Sequence, residues 1–184
     1  MNNQPDPTTG TRQPRTPLEV MRAVYASMDF QVEETEDIIT LRLALENLDV
    51  LVTSWGTPGD VATILVRLPI RATEEFRAKT GEFLHRLNYD SKRKFWEFDY
   101  NDGEIRLAAY ADTTNAPLSD SHFRGLLHCM LRTVDIVFPY LTGVLAGRMG
   151  PDFAADQADA ALHAYWTGDE EPDSGAEDDG DFKG

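Results

Sequence analysis

The sequence predicts an α+β fold, a two-layer sandwich with helices packed on one face of an antiparallel sheet of five or six strands. Two patterns support this prediction. Apolar and polar residues alternate with a period of two through residues 39–45, 61–68 and 94–109, as is typical of strands that bury one face. Elsewhere apolar residues recur every three or four positions, most persistently through residues 119–149, as in a helix packed on a sheet.

The N-terminal half predicts one helix followed by a meander of strands. The helix begins after Thr16, because Pro17 suits the first helical position and Glu19 completes a capping box. The strands are predicted at residues 39–45, 50–55 and 61–68, with a short additional one at 30–34. Pro69 marks an edge or the end of regular pairing, because proline cannot donate a backbone hydrogen bond to a neighbouring strand.

A second helix and a hairpin come next. Thr73 is predicted to cap the helix, and Asn88 is predicted to end it in the left-handed conformation. The hairpin has its turn at residues 101–103, whose sequence Asn-Asp-Gly is a strong turn signal. We expect one face of each hairpin strand to pack against the helices: Trp96, Phe98 and Tyr100 in the first strand, and Ile105, Leu107 and Ala109 in the second.

Residues 119–149 form the predicted core helix, on which the other elements are arranged. Pro139 is expected to kink or divide it, and Asp135 to hydrogen-bond the backbone that this proline disturbs. Residues 151–166 predict a last helix with Phe153 turned toward the protein. The single cysteine, Cys129, is expected to be a buried apolar residue in a reducing compartment.

Length and composition predict one domain, residues 16–167, between a disordered lead at 1–15 and a disordered acidic tail at 168–184. The net charge is −15; the lead carries +1 and the tail −7, which leaves −9 on the domain. Free nucleic acid and anionic membranes would be repelled by this charge. The chain has no signal-peptide pattern and no apolar run long enough to cross a membrane, so we expect a cytoplasmic protein.

The sequence contains no nucleotide-binding, zinc-protease or paired-cysteine motif, and it predicts no catalytic residue, metal or cofactor. The four histidines are spread over three predicted helices, and a metal site would need several to converge. They are His85, His122, His128 and His163. The main alternative to a binding protein is a small enzyme or ligand-binding domain with a pocket under the 119–149 helix, involving His128, Asp135 or His122.

The second face of the predicted sheet is more apolar than a solvated face usually is. Five residues are assigned to it as a candidate protein interface: Leu51, Trp55, Leu65, Phe95 and Tyr110. We expect this face to contact a second copy, giving a homodimer, or another protein.

The order of several short motifs resembles the YbjN family of bacterial proteins, over roughly residues 16–165. The motifs are Leu87-Asn88, a short basic gap, Phe95-Trp96-Glu97-Phe98-Asp99, the turn Asp102-Gly103, Ile105-Arg106-Leu107, and a long helix holding Asp135 and Pro139. The resemblance implies the fold of type III secretion chaperones. It further implies a non-enzymatic, often dimeric, protein-binding function of chaperone or regulator type, and it carries over no site residues.

The acidic tail predicts a basic protein partner, for instance one that binds single-stranded DNA, because repeated carboxylates suit a phosphate-binding groove. Eight acidic residues form this candidate partner-binding segment: Asp169, Glu170, Glu171, Asp173, Glu177, Asp178, Asp179 and Asp181. An acidic tail that only aids solubility is the alternative. No direct contact with nucleic acid or membrane is expected.

Overall fold

The computed structural model describes residues 15–56, 59, 61–89 and 91–168. The predictions for the lead and the acidic tail therefore fall almost entirely outside the described residues. The described part contains four α-helices and one six-stranded antiparallel sheet, which confirms the predicted α+β fold. None of its helices has the length and apolar character needed to cross a membrane.

Helix α1 (Pro17–Ser27) begins with the predicted capping box. The Thr16 hydroxyl accepts a hydrogen bond from the Glu19 amide, and the Glu19 carboxylate accepts one from the Thr16 amide at 2.7 Å. The buried face of the helix includes Tyr25, whose hydroxyl lies 2.6 Å from the hydroxyl of Ser54 on the sheet. Burial raises the pKa of Tyr25 to about 12.

The sheet is a meander with one insertion. Its strands are β1 (Glu33–Glu34), β2 (Ile38–Ala44), β3 (Asp49–Gly56), β4 (Val61–Arg71), β5 (Lys94–Phe98) and β6 (Glu104–Asp112). Their order across the sheet is β1-β2-β3-β4-β6-β5. Strand β4 continues past Pro69, but its register with β6 shifts between Arg67 and Arg71, so pairing becomes irregular at the proline without ending there.

Helix α2 (Arg77–Tyr89) follows a single 3-10 turn, Glu74–Phe76, that begins after Thr73. Thr73 makes no side-chain capping bond, and Asn88 is not the predicted left-handed stop. The Asn88 side chain instead accepts a hydrogen bond from the Trp96 amide at 2.7 Å and donates one to the Trp96 carbonyl at 2.8 Å. Asn88 therefore joins the end of α2 to β5 through two hydrogen bonds to the backbone of one residue.

The β5–β6 hairpin turns where the sequence predicts it. Gly103 has a φ of +77°, and a Cβ at this position would lie 2.1 Å from the Ala72 carbonyl oxygen. The turn thus needs glycine both for its left-handed backbone and for its close approach to the end of β4.

Helix α3 (Asp120–Leu145) is capped by Ser119 and crosses the sheet undivided, although Pro139 lies inside it. The prediction that Asp135 hydrogen-bonds the backbone disturbed by Pro139 is wrong. Its buried carboxylate accepts a hydrogen bond from the backbone N–H of Asn47 at 2.8 Å and a longer one from the Asn47 amide. Asp135 therefore anchors the turn between β2 and β3 to the middle of α3, at a sequence separation of 88 residues.

Helix α4 (Pro151–Thr167) folds back along α2 and α3. Its buried residues are Ala154, Ala155 and Ala158, whereas Phe153 is 56% exposed, contrary to expectation. The three small side chains belong to the hydrophobic core, and Phe153 lies outside that contact. At the other end of α4, the ring of Trp166 lies 6.0 Å from the ring of His128 on α3.

Candidate functional site: the outer face of the sheet

The helices pack on one face of the sheet, and the opposite face, termed the outer face, is formed by the alternate residues of each strand. Strand register fixes its composition. One row runs across all six strands: Glu33, Thr40, Thr53, Leu65, Ala108 and Phe95. A second row contains Ile38, Trp55, Thr63 and Tyr110. Apart from Glu33, both rows consist of apolar, aromatic and threonine side chains.

The structure brings the five predicted interface residues together on this face. Trp55 and Tyr110 flank Thr63 in the second row, Leu65 and Phe95 flank Ala108 in the first, and Leu51 lies opposite Arg67 in the adjoining row. Phe95 is 40% exposed and Tyr110 is 47% exposed. The assignment of these residues to one surface thus agrees with strand register. Their use as an interface stays a prediction.

Sequence reasoning missed one large member of this surface. Ile38 is 40% exposed and lies opposite Trp55 in the register of β2 with β3. The alternation that places Ile39 and Leu41 inside already assigns Ile38 to the outer face, so extending the strand by one residue would have found it.

Four charged residues beside the apolar rows pair with one another. Glu97 pairs with Arg106 at 2.5 Å, and Glu104 pairs with Arg67 at 3.3 Å. Glu97 also accepts a hydrogen bond from the Tyr110 hydroxyl at 2.6 Å, and this bond to a carboxylate raises the pKa of Tyr110. These two arginines and two glutamates together carry no net charge. Arg42, which lies opposite Leu51 in the same register, forms no ion pair with a described residue.

The residues of the enzyme alternative do not form one site. A cavity of about 480 Å³ lies beside the N-terminal half of α3, and His122 lines it. Neither His128 nor Asp135 does: His128 contacts Trp166, and Asp135 bonds Asn47. The other two histidines, His85 and His163, are exposed on α2 and α4. Among the described residues, no group of three or more histidine, cysteine or acidic side chains could hold a metal ion.

Cys129 differs from its prediction. It is partly exposed and lines the cavity beside α3, so it is not a buried core residue. The eight acidic residues of the predicted partner-binding segment, Asp169 to Asp181, lie outside the described residues.

Comparison with known proteins gives one match of interest. The sequence matches no known family profile and no curated protein. The structure is similar to the crystal structure of YbjN from E. coli, a candidate transcription regulator, at 9% sequence identity and a TM-score of 0.47. The match covers 82% of this chain and 93% of that chain.

Proposed function

We propose that this protein is a non-enzymatic interaction module that forms a homodimer through the outer face of its sheet. One observation carries the proposal. The face opposite the helices presents Trp55, Leu65, Phe95 and Tyr110 in adjacent register rows. Partly exposed apolar and aromatic side chains on adjacent strands are typical of protein interfaces.

The size of the face suits a second copy of the chain. Six strands spaced about 4.8 Å apart and about seven residues long span roughly 700 Å². A stable interface buries about 800 Å² on each partner. Two such faces can pack with their strands nearly aligned, as the two sheets of a sandwich do.

Charge also favours a second copy over a basic partner at this face. Arg67, Arg106, Glu97 and Glu104 are paired with one another, so these two carboxylates are not free to bind a cationic surface. Two copies placed face to face would bring no unpaired charges from these four residues together, and Arg42 is the cation in the register row of Arg67 that stays unpaired. The remaining charge of each domain, −9 for residues 16–167, repels only over the longer range that salt screens.

The dimer is tested by its response to salt. Because the contact is apolar and the two copies are both acidic, self-association should strengthen as salt rises from about 0.1 M to 1 M and the Debye length falls from about 10 Å to 3 Å. Sedimentation equilibrium over a concentration series measures this directly. A monomer at every salt and protein concentration would refute the proposal.

We further propose that the module is a regulatory adaptor whose acidic charge attracts a basic protein, such as one that binds single-stranded DNA. The net charge of −15 supports this part. Its salt dependence should be opposite: binding of the basic protein weakens as salt rises, while the dimer strengthens. A pull-down at two salt concentrations separates the two contacts, and partner binding indifferent to salt would contradict the electrostatic part.

A further inference from the structure

The cavity between the loop before β5 and the first turns of α3 has a volume of about 480 Å³. Small-molecule sites usually have volumes of about 300–1,000 Å³. The loop side of the cavity is cationic and is formed by Lys92, Arg93 and Lys94. The α3 side combines two polar residues with three small or apolar ones: Ser121, His122, Gly125, Leu126 and Cys129. The cavity thus has one charged side and one largely apolar side.

Lys94 lies on the helix-covered side of the sheet. It shares a face of β5 with the buried Trp96, and it is paired in register with the fully buried Ala109 of β6. Lys94 itself is only partly exposed, yet it forms no ion pair with another described residue. A partly buried ammonium group without a counter-charge carries a desolvation cost, which an anion bound beside it would offset.

Hydrogen bonds hold the loop that carries the cations at both ends. The backbone N–H of Ser91 donates to the Asn88 carbonyl at 3.1 Å, and the Ser91 hydroxyl donates to the Lys94 carbonyl. Lys92 and Arg93 lie between these bonds, and neither forms an ion pair within the described part of the chain. Because the path of the loop is already fixed, a ligand that binds these cations has less backbone to order.

The donors favour a phosphate over a carboxylate. A phosphate monoester carries about −1.5 to −2 charges at pH 7 and three acceptor oxygens, which suits three cations better than the single charge and two oxygens of a carboxylate. A phosphate alone would leave most of the 480 Å³ unfilled, and the apolar side has room for an organic group. We propose that the cavity binds a small organic phosphate. Its phosphate group contacts Lys92, Arg93 and Lys94, and its apolar part lies against Leu126.

Charge favours a small ligand over a nucleic-acid strand at this site. The domain around the cavity has a net charge of −9 for residues 16–167, and this charge repels a polyanion more strongly than a small dianion. The inference does not depend on the homodimer, because the cavity lies on the helix side of the sheet and the proposed dimer uses the outer face.

Phenyl phosphate is a suitable probe, because it joins a phosphate dianion to an apolar ring. Added to the full chain, it should shift the backbone amide resonances of residues 91–94 and 121–129. It should bind at least about tenfold more tightly than inorganic phosphate, which lacks the ring, and than phenol, which lacks the charge. Affinity equal to that of either control, or shifts spread over the whole surface, would overturn the proposal.

Two double variants provide a matched test of the cations, because each removes two positive charges. Lys92→Gln with Lys94→Gln should weaken phenyl phosphate binding at least about tenfold. Lys79→Gln with Arg148→Gln changes side chains that do not line the cavity, and it should alter the affinity less than about twofold in salt-screened solution. Equal losses in the two variants would show that only net charge attracts the ligand, and they would overturn the proposal.

The apolar side of the cavity has a separate test. A Cβ at Gly125 would meet no atom within 4 Å, so Gly125→Leu can enter the cavity without displacing its surroundings. Leucine also suits a helix interior better than glycine does, so the variant should keep its fold. It should weaken the binding of phenyl phosphate and leave that of inorganic phosphate unchanged. Undiminished binding of phenyl phosphate would show that its ring lies elsewhere and would overturn the proposal.

A short single-stranded oligonucleotide presents the same phosphate chemistry on a polymer. It should shift the amides of residues 91–94 only at higher concentration than phenyl phosphate does. Shifts of the same amides at lower concentration would overturn the proposal in favour of a nucleic-acid contact.

Discussion

Replacing Phe95 by alanine should dissociate the proposed dimer. Phe95 is 40% exposed in the single chain, and about 200 Å² is typical for a phenylalanine, so roughly 80 Å² is available for burial. At about 25 cal/mol per Å², this area contributes about 2 kcal/mol in each copy. A twofold interface contains the residue twice, so Phe95→Ala should weaken the dimer by about 4 kcal/mol, roughly a thousandfold in dissociation constant.

Phe153→Ala is the matched control for this experiment, because it makes the same chemical change at a residue that is 56% exposed on α4, away from the outer face. Sedimentation equilibrium of the two variants and the wild type should show loss of self-association only for Phe95→Ala. Circular dichroism would verify that both variants keep the fold. Equal dissociation constants for the two variants would show that the outer face is not the contact.

Three further predictions concern stability. Since the pKa of Tyr25 is about 12 when folded and about 10 when unfolded, the unfolding free energy should fall as pH rises between these values, by about 3 kcal/mol more in the wild type than in Tyr25→Phe. A constant difference between the two unfolding free energies across this range would contradict the assigned pKa. Asp135→Ala leaves the backbone N–H of Asn47 without its acceptor and should lower the free energy of urea unfolding by about 1–3 kcal/mol. Asn47→Ala should lower it less, and the reverse order would contradict the anchoring role of Asp135. Gly103→Ala should lower the melting temperature more than Gly59→Ala, because both have positive φ but only Gly103 would bring a Cβ against a carbonyl oxygen; equal losses would mean that backbone strain alone matters.

Most of the fold was predictable because its signals are local. The capping box at Thr16, the Asn-Asp-Gly turn and the alternation of the strands each depend on residues within a few positions of one another. The outer face followed from the same alternation, since a period of two assigns each residue to one of two faces. Alternation assigns residues to that face but carries no information on whether the face binds a partner.

What the sequence did not reveal depends on contacts between distant segments. The bond from Asn47 to Asp135 joins residues 88 positions apart, and no local pattern marks either one. Phe153 was expected inside because phenylalanine is usually buried, yet the alanines of α4 make the contact. The alternative with a pocket at the 119–149 helix named His122, which lines the cavity, but not residues 91–94, because the cavity arises only where the loop before β5 meets the first turns of α3.

The two edge strands of the sheet give a reason why the proposed assembly would stop at two copies. Strand β1 pairs through only two residues, and β5 begins at Lys94 after two further cations. Short or charged edge strands discourage the addition of another chain by backbone pairing, which is the route to open-ended aggregates. Contact through the outer face instead closes on itself, because each copy has one such face and uses it once. The same sheet can thus favour a defined pair and resist growth into fibrils.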